Sequence, residues 1–252
     1  MKIGITERGD AATNLSWYDK LQNGKYDGAV IITKNLNEVV REKILDLYNN
    51  KNFKSIIVHA TCTGWGGTEI EPNVPKYKTQ IKSLKSLIDD GFPIKNCVLR
   101  IDPIFPTEKG VNRVLDVIKY ADGYNIAKNI RIRVSIFDEY KHVKERFKAI
   151  GRKPLYGDSM FASKEQIKLV SDALMNTHLT FETCAEPLLK NSCFEHTGCV
   201  SEKDLEVLGL PIEKQSINGQ NRHGCLCLQC KSELLENKHR CPHNCLYCYW
   251  RD

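Results

Sequence analysis

The strongest chemical signal in the sequence is Cys241-Pro-His-Asn-Cys245-Leu-Tyr-Cys248. Three thiols at CxxxCxxC spacing can wrap one tight loop around one face of a cubane [4Fe-4S] cluster, each thiolate taking one iron. The fourth iron then has no protein ligand and stays open to a small molecule. The expected partner for it is S-adenosyl-L-methionine, which can chelate such an iron through its amino and carboxylate groups. Electron transfer into the sulfonium would release a 5′-deoxyadenosyl radical, with the protein supplying placement and exclusion of water.

A second pattern overlaps the first. Cys227-x-x-Cys230, fourteen residues, then Cys245-x-x-Cys248 is close to zinc-ribbon spacing. That reading makes the tail a structural or nucleic-acid-binding module, but it leaves Cys225 and Cys241 unused. A ribbon also usually continues into a further strand, and four residues follow Cys248. An iron–sulfur protein that only transfers electrons is a third reading.

Eleven cysteines are many for 252 residues. Cys62 and Cys97 are the only ones in the first 183 positions; the other nine fall between Cys184 and Cys248. In a reducing cytosol such a cluster suggests metal ligation rather than disulfides. For Cys62 and Cys97, beside apolar runs, a small core residue is the expectation.

The rest of the composition, 41% hydrophobic and 27% charged, is that of an ordinary globular chain. No stretch approaches the about 18 consecutive apolar residues of a membrane span. The first residues, Met1 to Glu7, read as a strand rather than a secretory signal, so a cytoplasmic location and no membrane partner are expected. A net charge of +6 is compatible with a nucleic acid or nucleotide substrate without requiring one.

The elements that must position the tail are short apolar, β-branched runs alternating with helical stretches. Six runs stand out: residues 2–6, 28–33, 55–60, 96–101, 130–137 and 179–183. Helical patterns cover residues 37–48, 76–89, 112–121, 141–150 and 164–175. The alternation predicts an α/β fold, a six-stranded parallel (βα)6 partial TIM barrel over residues 1–187. Residues 188–252, rich in cysteine and poor in apolar runs, are expected to form a metal-binding lobe packed over the barrel mouth.

In βα barrels, chemistry gathers at the C-terminal ends of the strands. Here those ends carry Glu7, Arg8 and Asp10, then Lys34 and Asn35, and further on Arg100, Asp102, Ser135, Asp138, Glu182 and Glu186. Arg100 and Asp102 alternate on one strand and so share a face. With Ser135 and Glu182, they are the expected substrate-binding or catalytic set. Gly64, Gly66 and Gly67, in a glycine-rich loop after the third run, could let backbone amides approach the methionyl part of the cofactor; a tight turn is the plain alternative. His243, inside the cysteine loop, is expected to hydrogen-bond near the cluster rather than ligate it.

The tail spacing, with aromatic Tyr247 before the third cysteine, resembles the signature loop of the radical S-adenosylmethionine superfamily. There the loop follows the first barrel strand; here it closes the sequence. The whole chain also resembles an uncharacterised domain-of-unknown-function family of bacteria and phages with a C-terminal CxxxCxxC motif. The segments that carry this resemblance include Thr63-Gly64-Trp65-Gly66, Ile70-Glu71-Pro72-Asn73-Val74-Pro75, Arg100-Ile101-Asp102-Pro103-Ile104, Glu182-Thr183-Cys184-Ala185-Glu186 and Gly224-Cys225-Leu226-Cys227, besides the tail. The resemblance implies a cluster on Cys241, Cys245 and Cys248, with Glu71 and Tyr247 beside the cofactor. It further implies a second metal centre, an iron–sulfur cluster or zinc, on Cys184, Cys199, Cys225 and Cys227. It assigns no substrate. An enzyme of this kind draws electrons from a reductase, ferredoxin or flavodoxin.

Overall fold

The computed structural model of the chain describes residues 1–51, 53–212, 216–217, 225–235 and 241–251. Gly224 lies outside the described residues. All strands among the described residues belong to one parallel sheet. The six predicted strands are present as β1 (Ile3–Ile5), β2 (Gly28–Thr33), β3 (Ile56–Thr61), β4 (Cys97–Ile104), β5 (Arg131–Ile136) and β6 (Phe181–Cys184). Two more were not predicted: β7 (Phe194–Thr197) and β8 (Lys231–Glu233). The order across the sheet is β7-β6-β5-β4-β3-β2-β1-β8. Among the described residues the sheet therefore has eight strands, not six, and both edges come from the cysteine-rich stretch expected as a lobe over the barrel mouth.

The predicted helices appear as α2 (Glu38–Leu45), α3 (Tyr77–Asp89), α4 (Glu108–Asp122), α5 (Lys141–Ala149) and α6 (Lys164–Met175), with the short α1 (Ser16–Gln22) and α7 (Glu202–Leu208) in addition. Successive residues on a strand face opposite ways, and here both faces are covered. Ala29, Ile31, Val58, Leu99, Ile101, Ile132, Val134 and Phe181 pack with Leu84, Val114 and Val170 of the outer helices in the main core.

The alternate residues form the other face. Ile3, Ile5, Val30, Ile32, Ile57 and Val98 pack there with Leu205 and Leu208 of α7 and with Cys184, Cys199, Cys225 and Cys227. Toward β5 and β6 that face turns ionic. Arg133 donates to Glu182 (2.6 Å) and Asp204 (3.3 Å), and Arg131 donates to Asp204 (2.8 Å). Charges are tolerated at such depth only when paired and hydrogen-bonded. Asp204 meets that condition from both sides. It accepts from the Ser201 amide and hydroxyl in a capping box that starts α7, so one carboxylate fixes the helix and pairs with two arginines, whose second charge Glu182 balances. Burial would raise the pKa of Asp204, but Arg133 and Arg131 outweigh it and hold the carboxyl below its ordinary value.

Candidate metal centre

The C-terminal ends of the strands open onto a cavity of about 400 Å³. Its wall includes Arg100 and Asp102 from β4, Ser135 from β5 and Cys184 from β6, together with Cys199, Cys227, Cys241, Cys245 and Cys248. Thiols that are far apart in sequence thus face one space. Volumes of about 300–1,000 Å³ are typical of small-molecule sites, so there is room here for a cofactor.

The tail is held over this opening by specific contacts. Cys245 and Tyr247 join a cluster with Trp65, Ile70, Val74, Phe105, Phe137, Val143 and Phe147. The Leu246 amide donates to the Ile70 carbonyl (3.0 Å), and Asn73 Nδ2 donates to the Pro242 carbonyl (2.7 Å). Arg146 of α5 donates to the carbonyls of Leu246, Cys248 and Arg251. Asn244 sits at φ 56°, a left-handed conformation that asparagine tolerates better than most residues, and it bends the loop between Cys241 and Cys245.

His243 has a polar neighbour at each ring nitrogen. Nδ1 lies 3.0 Å from the Asn73 carbonyl, and Nε2 lies 3.2 Å from the Asp10 carboxylate. Burial disfavours the imidazolium, but Asp10 more than compensates and raises the His243 pKa. Asp10 also accepts from the Lys34 amide (2.6 Å) and the Thr33 hydroxyl (2.7 Å). His243 therefore ties the loop to Asn73 and Asp10, and it belongs to no group of three or more candidate metal ligands among the described residues.

Beside Cys245 lies a buried polar cluster. Lys34 Nζ donates to Glu71 (3.0 Å) and to the Tyr247 hydroxyl (2.6 Å), Thr63 donates to Glu71 (2.6 Å), and the Tyr247 hydroxyl donates to Glu71. Glu71 and Tyr247 meet, and of the two only Tyr247 is on the cavity wall. Lys34 was visible in the sequence only as a strand-end residue, and nothing there marked it as their common partner. Burial pushes the Cys245 thiol up to about 12, with the Lys34 cation pulling the other way. A buried thiol of this kind ionises when a soft metal takes its proton's place. The three tail thiols border one cavity beside a buried cation, but among the described residues their sulfurs do not gather within 4.8 Å of one another as those of the second group do.

The second group is tighter. The sulfurs of Cys184, Cys199 and Cys227 all lie within 4.8 Å of one another, with Cys184 and Cys199 3.5 Å apart. This triad could hold a metal. Cys225 is buried nearby but is not part of the group. The four sulfurs of the zinc-ribbon spacing are not gathered: Cys227 belongs with Cys184 and Cys199, and no such group forms from Cys230, Cys245 and Cys248 among the described residues.

The remaining expected site residues divide. Arg100 and Asp102 form an ion pair on the cavity wall. Ser135 donates to Glu186 (3.0 Å), whose carboxyl burial pushes up to about 8. Glu182 is not part of the cavity wall. It lies two residues before Cys184 on the same strand face, one layer deeper, where Arg133 holds it. Gly64, Gly66 and Gly67 are not on the wall either. A Cβ at Gly66 would collide with the Pro75 carbonyl, and Gly64 packs against Arg113, so these positions serve close packing.

One comparison decides the relationship. Residues 11–250 match the family model described as "Domain of unknown function (DUF1848)". The chain belongs to the DUF1848 family. No curated protein matches it. In this DUF1848 protein the matched range takes in every strand from β2 to β8, both thiol groups and the tail as far as Trp250.

Proposed function

We propose that this DUF1848 protein is a radical S-adenosylmethionine enzyme, with a [4Fe-4S] cluster on Cys241, Cys245 and Cys248. The observation that carries the reading is that the three tail thiols open onto the cavity at the C-terminal strand ends, beside Lys34, Glu71 and Tyr247. We read the sheet as the wall of a partial barrel of radical-SAM type: from β1 to β7 every strand lies beside its predecessor, which is the strand sequence of a βα barrel. When bound, the cluster and S-adenosylmethionine would supply a 5′-deoxyadenosyl radical.

The chain's own residues bind, orient and exclude water. The aromatic cluster of Phe105, Phe137 and Tyr247 closes one side of the cavity behind Cys245. Lys34 offsets the negative charge of three thiolates. The Arg100–Asp102 pair and Ser135 offer an anion-binding edge and a hydrogen-bonding edge to a polar substrate. The substrate class stays open; the slight basic excess of the chain suits a nucleic acid or nucleotide, and the electron donor would be a reductase, ferredoxin or flavodoxin.

The test is anaerobic reconstitution with iron and sulfide, followed by reduction with S-adenosylmethionine present. About four irons per tail cluster and release of 5′-deoxyadenosine are expected. Cys245→Ala should abolish nucleoside release. One tightly held zinc with no iron uptake, or nucleoside release that survives Cys245→Ala, would refute the assignment.

A further inference from the structure

We infer that Cys184, Cys199 and Cys227 bind a single thiophilic divalent ion, zinc being the chemical match, and leave its fourth coordination position open to the cavity. The inference stands apart from the radical reading, since it needs no cluster in the tail. Zinc holds thiolates at about 2.3 Å, which in a tetrahedron puts sulfurs about 3.8 Å apart. The triad, with all three sulfurs within 4.8 Å and one pair at 3.5 Å, has the spacing of one shared ion. A cubane gives each thiolate its own iron and spreads them wider.

The number of ligands points the same way. A fully ligated cluster would take four thiolates, and a structural zinc site four protein ligands drawn from thiolates and imidazoles. Among the described residues no fourth thiol, imidazole or carboxylate joins the group, and Cys225 lies outside it. Three protein ligands and one exchangeable position are the arrangement of a catalytic zinc. All three cysteines line the cavity, so the open position faces the space that the tail thiols and the Arg100–Asp102 pair also face. Its ligand would be water or an oxygen or nitrogen donor of the substrate.

The surroundings are built for this charge. Three thiolates on a divalent ion leave a net charge of −1. The Arg133 guanidinium donates to the Cys199 carbonyl (3.1 Å), and the Cys199 amide donates to the Cys227 sulfur (3.1 Å), a second-layer contact of the kind that orients metal ligands. The three cysteines come from three parts of the chain: the end of β6, the turn between β7 and α7, and the approach to β8. Gly198 lets the last two approach, because a Cβ there would lie 2.6 Å from the Cys227 backbone.

Zinc K-edge absorption tests this on the full chain, reconstituted anaerobically with iron and then loaded with one equivalent of zinc chloride. Three sulfurs at about 2.3 Å and one oxygen or nitrogen are expected. Four sulfurs, a neighbouring metal scatterer, or loss of the zinc on gel filtration would overturn the inference. Zinc content then separates the cysteines. Cys225→Ala should keep one zinc per chain and Cys199→Ala should lose it; retention in Cys199→Ala or loss from a folded Cys225→Ala contradicts the assignment. A variant with Cys241, Cys245 and Cys248 all replaced by alanine should still hold one zinc, and a zinc-free, folded form of it would move the ion to the tail.

Discussion

At the scale of single residues, the cysteines were legible as two sets, but their partners were not. CxxxCxxC spacing announces a loop that can present three thiols, and the three do face one cavity. A Cys-x-Cys pair, by contrast, gives proximity along the chain without saying which thiol points where; only Cys227 of the pair faces Cys184 and Cys199. Lys34 illustrates the other gap. Its meeting with Glu71 and Tyr247 depends on segments 37 and 213 positions away, which no local pattern reports. Lys34→Met should destabilise the protein by about 3–5 kcal/mol, because it strands the Glu71 carboxylate in a buried site. Pairing it with Glu71→Gln should recover part of the loss, and chemical denaturation of the two single variants and the double variant measures that coupling. Strict additivity would mean that the two side chains do not act as a pair.

At the scale of elements, long apolar runs and amphipathic helices were read correctly because burial of one face imposes their period. The misses are short. Phe194–Thr197 and Lys231–Glu233 have four and three residues and no apolar run; they are strands because β6 and β1 offer unpaired edges. The seven-residue α1 and α7 span about two turns, too little for a periodic signal. Two predictions belong here. Gly66→Ala should cost about 1–3 kcal/mol by overpacking against Pro75, and should lower iron retention by shifting the Ile70–Val74 segment that holds the tail. Unchanged melting temperature and iron content would show that the loop yields freely.

Asp204 gives the pH dependence. Its folded pKa is depressed, so its contribution is fully present above the ordinary value of 3.8 and disappears as pH falls through the lower folded value. Asp204→Asn should therefore be less stable than the parent at pH 7, and the gap should close as the solution is acidified below about pH 4. Denaturant titrations at pH 7 and pH 3 report this. A gap that stayed constant would mean that the carboxylate charge is not what ties α7 to Arg131 and Arg133.

At the scale of the whole molecule, the sheet explains how segments far apart in sequence come to border one cavity. The strand ends form one wall, and a tail pinned by Asn73, Arg146 and Asp10 forms the other, so chain position and spatial position are uncoupled. No helix among the described residues is long and apolar enough to cross a membrane. Residues of the tail from Cys241 to Trp250 border the cavity at the strand ends, while β7 and β8, from the stretch before it, extend both edges of the sheet. The central claim is that the tail thiols leave one iron open to S-adenosylmethionine within this cavity. Electron paramagnetic resonance of the reduced, reconstituted protein, recorded with and without S-adenosylmethionine, tests it most directly. The account predicts a cluster signal that changes on addition of the cofactor and is absent from Cys245→Ala. A signal indifferent to the cofactor, or one that persists in Cys245→Ala, would contradict it.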